Sequence, residues 1–435
     1  MKYNYYGTIM RRKLLTEAAE AIQPSVTQDI SARAKKMIAE GIDVIDFGVG
    51  EPDFDTPKEA KEAAIEAITN NHTHYTPAQG YPNLKRAIVD KWVKRGLVYQ
   101  PNQVVVAAGG KAALTALANA TLGPGDDVII PTPYWVSYPE IVRSRGATPI
   151  HESQNSGGRN GPNVHCRGSN GFQLDVSAIE KLITDRTKYV IYSSPSNPTG
   201  TLLTRGTLED LGELAMSTGV SVISDEMYAD ILYDGHKHVS IASLAHNTGR
   251  YGTKFQELED LVFVLDGASK SYAMTGWRVG WIAGPQDVMS KVAAIKSHTE
   301  GNVNNIAQEA TIAALTRSQS ATNYMVRQFA KRKERVWYSL NEIPGVSCNN
   351  LQGAFYAFPK VNTFYGMVRP DTRKPINGSV DLANYLLDHG HVALTPGAAF
   401  GRDHYVRISY ATSMPTIKKG LERIKNALLN LRPGR

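Results

Sequence analysis

Residues 267 to 285 read GASKSYAMTGWRVGWIAGP and set Lys270 and Arg278 among Gly, Ala, Ser and Trp between apolar runs. An amine sheltered in this way can attack a carbonyl carbon, and a sheltered guanidinium can clamp an anion. Further chemistry-bearing residues recur at one kind of place, after an apolar run. Gly109, Gly110 and Lys111 follow QVVVAA, Tyr134 and Trp135 follow DVIIPTP, and Asn197 follows YVIYSSPS. Asp225 and Tyr228 follow VSVIS, and Ser269 and Lys270 follow LVFVLDGA. Ligands of open α/β sheets gather at the carboxyl ends of the strands, so chemistry is expected there.

Taken singly, these residues also have ordinary readings. Gly109-Gly110 ahead of a helix can point bare N–H groups at an anion, or can simply make a tight strand-to-helix turn. Asp225 closing a buried-type strand needs a cation or hydrogen bonds, and SDEMYADI equally allows it to cap a helix. Neither a GxxxxGK[ST] loop nor a GxGxxG fingerprint occurs, which disfavours a nucleotide triphosphate or a dinucleotide. The HKH run at 236–238 reads as a solvated loop, and no metal site is expected.

Bringing these residues together requires a scaffold that aligns strand ends. From about residue 100 the runs QVVVAAGG, DVIIPTP, TKYVIYSSP, VSVISDE, LVFVLDGAS and VGWIAGP alternate with helical patterns such as KAALTALANATL and TLEDLGELAMSTG. Apolar strands in turn with helices predict an α/β domain whose parallel or mixed sheet is covered on both faces. Beyond about residue 315 come a charged helical pattern (MVRQFAKRKERVWYSLNEI), strands in GAFYAFPKV, HVALTPG and HYVRISYA, and the closing amphipathic helix MPTIKKGLERIKNALLNL. This predicts a second, smaller α+β unit joined by the N-terminal fifty residues. Two polar stretches, 154–171 and 246–260, read as surface excursions.

The length of 435 residues favours one large and one smaller domain over a single core. No stretch approaches the roughly 18 uninterrupted apolar residues of a membrane span. The net charge of +7 comes from 48 basic and 41 acidic residues scattered along the chain, which fits anionic small molecules better than nucleic acid. Cys166 and Cys348 lie far apart with no CxxC spacing, so a reducing, cytoplasmic setting is expected. The start, MKYNYYGTIMRRKLL, lacks the apolar core of a secretory signal and reads as an arm.

Taken together, the residues match the needs of one cofactor. Pyridoxal phosphate requires an amine for imine formation, a carboxylate to keep its pyridine nitrogen protonated, donors for its phosphate and phenolate oxygens, and an aromatic face for its ring. The motifs YTPAQGYPNLKRAI, AAGGKAAL, PTPYWVSYPE, SPSNPTG, SDEMYADI, GASKSYAMTGWRVGW, GAFYAF and YVRISYA resemble, in order, those of the class I pyridoxal-phosphate aminotransferases of fold type I. The likeness is greatest to the bacterial-type aspartate aminotransferases and runs from about residue 20 to the end.

That resemblance implies an α/β fold: a large domain with a mainly parallel seven-stranded sheet between helices, plus a smaller α+β domain. The division is 1–58 (N-terminal arm and part of the small domain), 59–315 (large cofactor-binding domain) and 316–435 (small domain). It implies that Lys270 forms the internal aldimine and shuttles the substrate's α-proton, that Asp225 pairs with the ring nitrogen, and that Asn197 and Tyr228 bond the phenolate oxygen. Trp135 stacks on the ring. Gly109, Gly110, Lys111, Ser269 and Arg278 hold the phosphate, with Tyr75 reaching in from the neighbouring subunit of a homodimer with shared active sites. Arg407 clamps the substrate α-carboxylate, with Gly48, Asn197 and Trp135 beside it. Ser25, Thr27 and Lys111 receive a distal carboxylate, although plain helix capping also explains Ser25 and Thr27. The expected reaction is ping-pong transamination between aspartate and 2-oxoglutarate. The alternatives are an aminotransferase of broader or aromatic specificity, a β-eliminating lyase, and a catalytically silent binding protein on the same fold.

Overall fold

Strands that are buried on both faces need apolar side chains at successive positions, and this is how the central runs fold. The structure, a computed structural model, describes residues 14–22, 26–151, 171–246, 249 and 252–434, and the side chains of all of these except 26–28. In chain order the first strands are β1 (Ile45–Asp46), β2 (Val104–Ala107), β3 (Asp127–Ile129), β4 (Thr148–Ile150), β5 (Thr187–Ser193) and β6 (Ser221–Asp225). They are followed by β7 (Val262–Gly267), β8 (Gly280–Ala283), β9 (Tyr356–Ala357), β10 (Val392–Ala393), β11 (Thr395–Pro396) and β12 (Val406–Ser409).

Seven of these form one sheet in the order β2-β8-β7-β6-β5-β3-β4. Every neighbouring pair is parallel except those made by β8, which runs antiparallel to both β2 and β7. Side chains alternate between the two faces. Val104, Val106, Val222 and Val264 enter a core under the helices Pro82–Val93 and Arg205–Thr218, whereas Val105, Ile223, Phe263 and Leu265 enter another under Gly110–Thr121 and Gln286–Thr299. The helix Arg205–Thr218 is bounded by its sequence: the Thr204 hydroxyl accepts from Thr207 N–H at one end, and Gly219 takes the left-handed conformation at the other.

Strand polarity fixes where the functional residues collect. In register, Ser193 faces Asp225, Asp225 faces Leu265, and Gly267 and Ala107 both face Gly280. The carboxyl ends of β2, β5, β6 and β7 therefore share one edge with the beginning of the antiparallel β8. Gly280 lets β8 lie against the start of the helix Gly110–Thr121, since a Cβ there would sit 2.3 Å from the Gly110 nitrogen.

A second core gathers residues from both ends of the chain: Ile30, Ala34, Ile45 and Phe47 pack with side chains from Met325 to Leu431. Here β11, β12 and β9 form an antiparallel sheet, and β1 pairs in parallel with β10. The helix Met414–Asn430 buries Ile417, Leu421, Ile424 and Leu428 along one stripe. The cores broadly follow a division at about 58 and 315, which we propose as the domain boundaries, with exchanges at the seam: Met227, Tyr228, Ile231 and Tyr233 join the second core, and Phe358, Phe400 and Tyr405 join the first. HVALTPG divides at Leu394 into two short strands with different partners, rather than forming the single expected strand. Most of the first polar stretch lies outside the described residues. The second is not wholly superficial: Phe255 and Leu258 are buried against the helix Arg205–Thr218, where Gly212 leaves them room.

Gly280→Ala would push a methyl group into backbone that cannot yield. The expected loss is about 2 to 3 kcal/mol of stability, the upper range for overpacking, read as a lowered urea midpoint together with weakened cofactor binding.

Candidate active site

The shared strand edge opens into a cavity of about 740 Å³ lined by residues of both cores. Gly110, Lys111, Trp135, Asn197, Asp225, Tyr228, Ser269, Lys270, Arg278, Gly48 and Arg407 all line it. Gly109 lies directly against it, with φ +95° and no room for a Cβ, which would sit 2.6 Å from Arg278 Nη2. Tyr75 is 99% exposed and lines a different recess. Ser25 and the side chain of Thr27 lie outside the described residues.

Lys270 sits in the short helix Ala268–Ser271 directly after β7, and its Nζ donates to the Gly50 carbonyl at 2.6 Å. Burial pulls its amine down to about 8, with Glu51 and Asp225 opposing and Arg407 and Arg278 adding to the effect. Asp225 closes β6. The chain then turns instead of entering a helix, so Asp225 is not a helix cap; its Oδ1 accepts from the Met227 N–H at 3.1 Å. Its Oδ2 accepts from the Tyr138 hydroxyl, and no cation lies within 4.0 Å among the described residues. Burial, against these hydrogen bonds, raises the carboxyl to about 6. Tyr228 donates to or accepts from Tyr356 Oη at 2.8 Å, and burial holds its hydroxyl well above the ordinary tyrosine range, so it stays protonated.

Arg407, on β12, is buried with no carboxylate in ion-pair range among the described residues. Its Nη1 donates to Asn197 Oδ1 at 3.0 Å and its Nη2 to the Gly48 carbonyl at 2.6 Å, while its Nε has no partner among the described residues. The Gly48 N–H is taken by Asp46 Oδ1 at 2.7 Å, so both polar groups of that residue are engaged within the chain. Among the described residues, Arg278 donates only to the neutral carbonyls of Thr275 and Ala108, at 2.9 and 3.2 Å. The Lys111 ammonium lies 5.2 Å from the centre of the Trp135 ring, and desolvation followed by Arg278 lowers its pKa.

Among the described residues, five cations that make no ion pair line this cavity, Lys270, Lys111, Arg278, Arg407 and the exposed Lys35, together with two carboxylates that have no cation within 4.0 Å, Asp225 and Asp46. The Gly110–Thr121 helix begins there with no side-chain cap, leaving its first N–H groups available to an anion. An anionic phosphate against Arg278, Ser269 and that helix start, a protonated ring nitrogen against Asp225, and an aldehyde against Lys270 would answer three of these groups, so the residues fit pyridoxal phosphate. Tyr138, Tyr356 and Gly50 were not singled out from sequence. Tyr138 and Tyr356 sit inside the motifs PTPYWVSYPE and GAFYAF and Gly50 lies two residues from Gly48, but their roles depend on contacts across the fold. His238 departs from the expected solvated loop: its side chain is 4% exposed, with Nε2 at 2.8 Å from Glu226 Oε2. Among the described residues, no group of three His, Cys, Asp or Glu is placed to hold a metal, and no helix is long and apolar enough to cross a membrane.

A fold with this sheet, and a cavity built for an anionic aldehyde cofactor, defines a pyridoxal-phosphate enzyme of the α/β class. The chain belongs to the class I and II aminotransferases, whose sequence profile matches residues 42–424, and it is accordingly a pyridoxal-phosphate-dependent transferase. It is 40% identical over 411 residues to the aspartate aminotransferase of Geobacillus stearothermophilus, covering 94% of this chain and 98% of that one. It is 37% identical to a probable aspartate/prephenate aminotransferase of Aquifex aeolicus, covering 96% and 99%. The crystal structure of the Rhizobium meliloti aspartate aminotransferase superposes with TM-score 0.88 at 37% identity, covering 96% of this chain and 100% of that chain. The Thermus thermophilus aspartate aminotransferase with maleate does so with TM-score 0.83 at 34% identity, covering 95% and 100%.

Asp225 provides a test with a definite sign. Its folded pKa near 6 lies above the ordinary 3.8, so without cofactor it lowers stability progressively as pH rises from about 4 to 6. The difference amounts to about 3 kcal/mol at pH 7. Cofactor-free Asp225→Asn is expected to exceed the parent in urea stability by up to that amount above pH 6, to match it below pH 4, and to bind the cofactor more weakly.

Proposed function

We propose that this aminotransferase transfers the amino group of aspartate to 2-oxoglutarate, acting in the cytoplasm as a homodimer. The observation that carries the reading is that Arg278, Lys270, Arg407 and Lys111 line one cavity, none of them in an ion pair among the described residues. Arg278, with Ser269 and the helix start, suffices for the cofactor phosphate, and Lys270 is the amine for its aldehyde. Arg407 and Lys111 remain for the two carboxylates of a dicarboxylic substrate. Maleate, bound by the Thermus thermophilus relative, is such a dicarboxylate.

Bound pyridoxal phosphate supplies an electron sink for the pair released when the substrate's α-proton leaves. Arg407 holds the α-carboxylate with its planar fork, which orients the α-carbon toward Lys270. With the cofactor bound, the Lys270 amine, its pKa drawn down to about 8 by burial, would be the base that takes the proton from the substrate's α-carbon and holds it as an ammonium. Asp225 would keep a proton on the cofactor's ring nitrogen, and the Tyr228 hydroxyl and Asn197 would offer hydrogen bonds at its phenolate edge. Trp135 and Phe400 line the cavity and limit water. A second reading, a wider dicarboxylic range that includes prephenate, draws on the Aquifex aeolicus and Nitrosomonas europaea relatives named for both substrates.

Half-reactions of the cofactor-loaded enzyme with single amino acids, followed by the cofactor's absorbance, should proceed fastest with aspartate and glutamate, and Lys111→Ala should weaken those two by roughly 100-fold while sparing alanine. Faster conversion of alanine or phenylalanine in the parent would overturn the dicarboxylate assignment. Prephenate as acceptor separates the second reading from the first.

The exposure of Tyr75 supports a dimer in which it serves the partner's cavity. Lys270→Ala and Tyr75→Ala variants, each nearly inactive alone, should regain up to about a quarter of parental activity when refolded together, because one hybrid site then has both residues. Activity that stays at the sum of the two single variants would exclude the shared site.

A further inference from the structure

Residues 48–56 run between the cavity and the second core and are tied down on both sides. Toward the cavity, the Gly50 carbonyl accepts from Lys270 Nζ at 2.6 Å and Glu51 Oε1 accepts from Thr275 Oγ1 at 2.6 Å. Thr56 Oγ1 donates to the Ala273 carbonyl at 3.0 Å and accepts from Trp277 Nε1 at 2.9 Å. Every one of these contacts lands on the loop that carries Lys270 and Arg278. On the other side, Asp53 receives both terminal nitrogens of Arg332, at 2.6 and 2.9 Å. Arg332 is buried on the helix Ser320–Asn341, and its guanidinium lies 4.8 Å from the ring centre of Phe54 and 5.3 Å from that of Phe329. Phe54 meets Phe329 edge-on at 5.3 Å.

We infer that Asp53 and Arg332 are positioning residues for Lys270: their forked ion pair fixes the 48–56 segment so that the Gly50 carbonyl receives the lysine amine and Glu51 holds Thr275 between Lys270 and Arg278. The inference rests on the reading of Lys270 as the imine-forming lysine. A four-carbon side chain has many rotamers, and a single acceptor at a fixed place selects the one that points at the reacting carbon. Gly50 cannot drift toward the second core, because a Cβ there would already lie 2.7 Å from Tyr356 Oη. A two-bond fork between a planar guanidinium and a carboxylate is a stiff anchor, and the flanking Phe rings hold the guanidinium in plane.

The charged groups that face Lys270 are Glu51 and Asp225, which favour its protonated form, and Arg407 and Arg278, which oppose it as burial does; burial is the largest effect. Loosening the segment lets water in and relieves the largest effect. Neutralising Glu51 with the segment in place removes a favourable charge. The two changes must therefore move the amine in opposite directions.

The test uses full-length, cofactor-free protein, labelled with an amine-directed reagent across pH and read at Lys270 by peptide mass spectrometry. Asp53→Asn and Arg332→Lys are expected to move the labelling midpoint up from about 8 by about one pH unit, and Glu51→Gln to move it down. In loaded enzyme, Asp53→Asn and Arg332→Lys should lower kcat by about 10-fold with KM for aspartate within about two-fold. Lys333→Met, on the same helix as Arg332, removes the ion pair to Asp234 in a distant turn and should lower the melting temperature and leave the midpoint and kcat unchanged. Parental midpoints in Asp53→Asn and Arg332→Lys, a shift in the same direction for all three variants, or an equal effect of Lys333→Met each overturns the inference. Retained cofactor attachment in Lys270→Ala would instead refute the role of Lys270 itself, so the two failures are distinguishable.

Discussion

Positive charge without a counter-charge is the constraint on which the rest of this protein depends. Arg407 is buried and Lys270 half-buried, and Lys111 and Arg278 face the same space, yet neutral groups answer them: the carbonyls of Gly48, Gly50, Ala108 and Thr275 and the side chain of Asn197. Taking a cation out of water is costly unless an anion or several hydrogen bonds replace the lost hydration. Carbonyl dipoles supply part of that replacement, enough to keep each side chain aimed. The remainder is left for whatever anion enters, which makes the site both a weak point of the free protein and a strong one of the loaded protein.

Aiming these charges at one point is a matter of strand direction. The parallel strands β5, β6 and β7 deliver Asn197, Asp225 and Lys270 at their carboxyl ends. The single antiparallel strand, β8, delivers Arg278 at its beginning, on the same edge. Had β8 run parallel, Arg278 would lie at the far end of the sheet. The close approach of Gly280 to the backbone of Gly109 and Gly110 then brings the helix start against Arg278, so the phosphate-binding pieces come from two strands that meet without side chains between them.

Much of this was legible in the chain because long apolar runs and small-residue turns leave clear marks. The strands β2, β3, β5, β6, β7 and β8 coincide with the apolar runs, and the helices Gly110–Thr121 and Arg205–Thr218 with the helical patterns between them. What escaped was short or depended on contacts between distant residues. β1 and β4 have two and three residues, too few for any periodicity. Phe255 and Leu258 sit in a polar stretch whose average hides two buried anchors. Tyr138 lies within a recognised motif, but its bond to Asp225 joins residues 87 apart, and nothing in the local pattern indicates it. His238 was read from its exposed neighbours, His236 and Lys237, although its own side chain turns inward to Glu226.

The order of groups along the strand edge also determines how a ligand must lie. Crossing the sheet from β5 through β6, β7 and β8 to β2, the edge presents a neutral amide at Asn197, a carboxylate at Asp225, an amine at Lys270, and then the guanidinium and bare helix start at Arg278 and Gly110. Neighbouring strands are about 4.8 Å apart, so the carboxylate and the anion-binding end are separated by roughly 10 Å before the side chains reach inward. A molecule with a protonated nitrogen at one end and a phosphate at the other spans that interval in one orientation only, since the reverse would set phosphate against Asp225. Its carbonyl carbon then falls at the intervening strand, β7, where Lys270 emerges. The lysine needs no freedom to search, and so a fixed acceptor for its amine is more useful here than a flexible one.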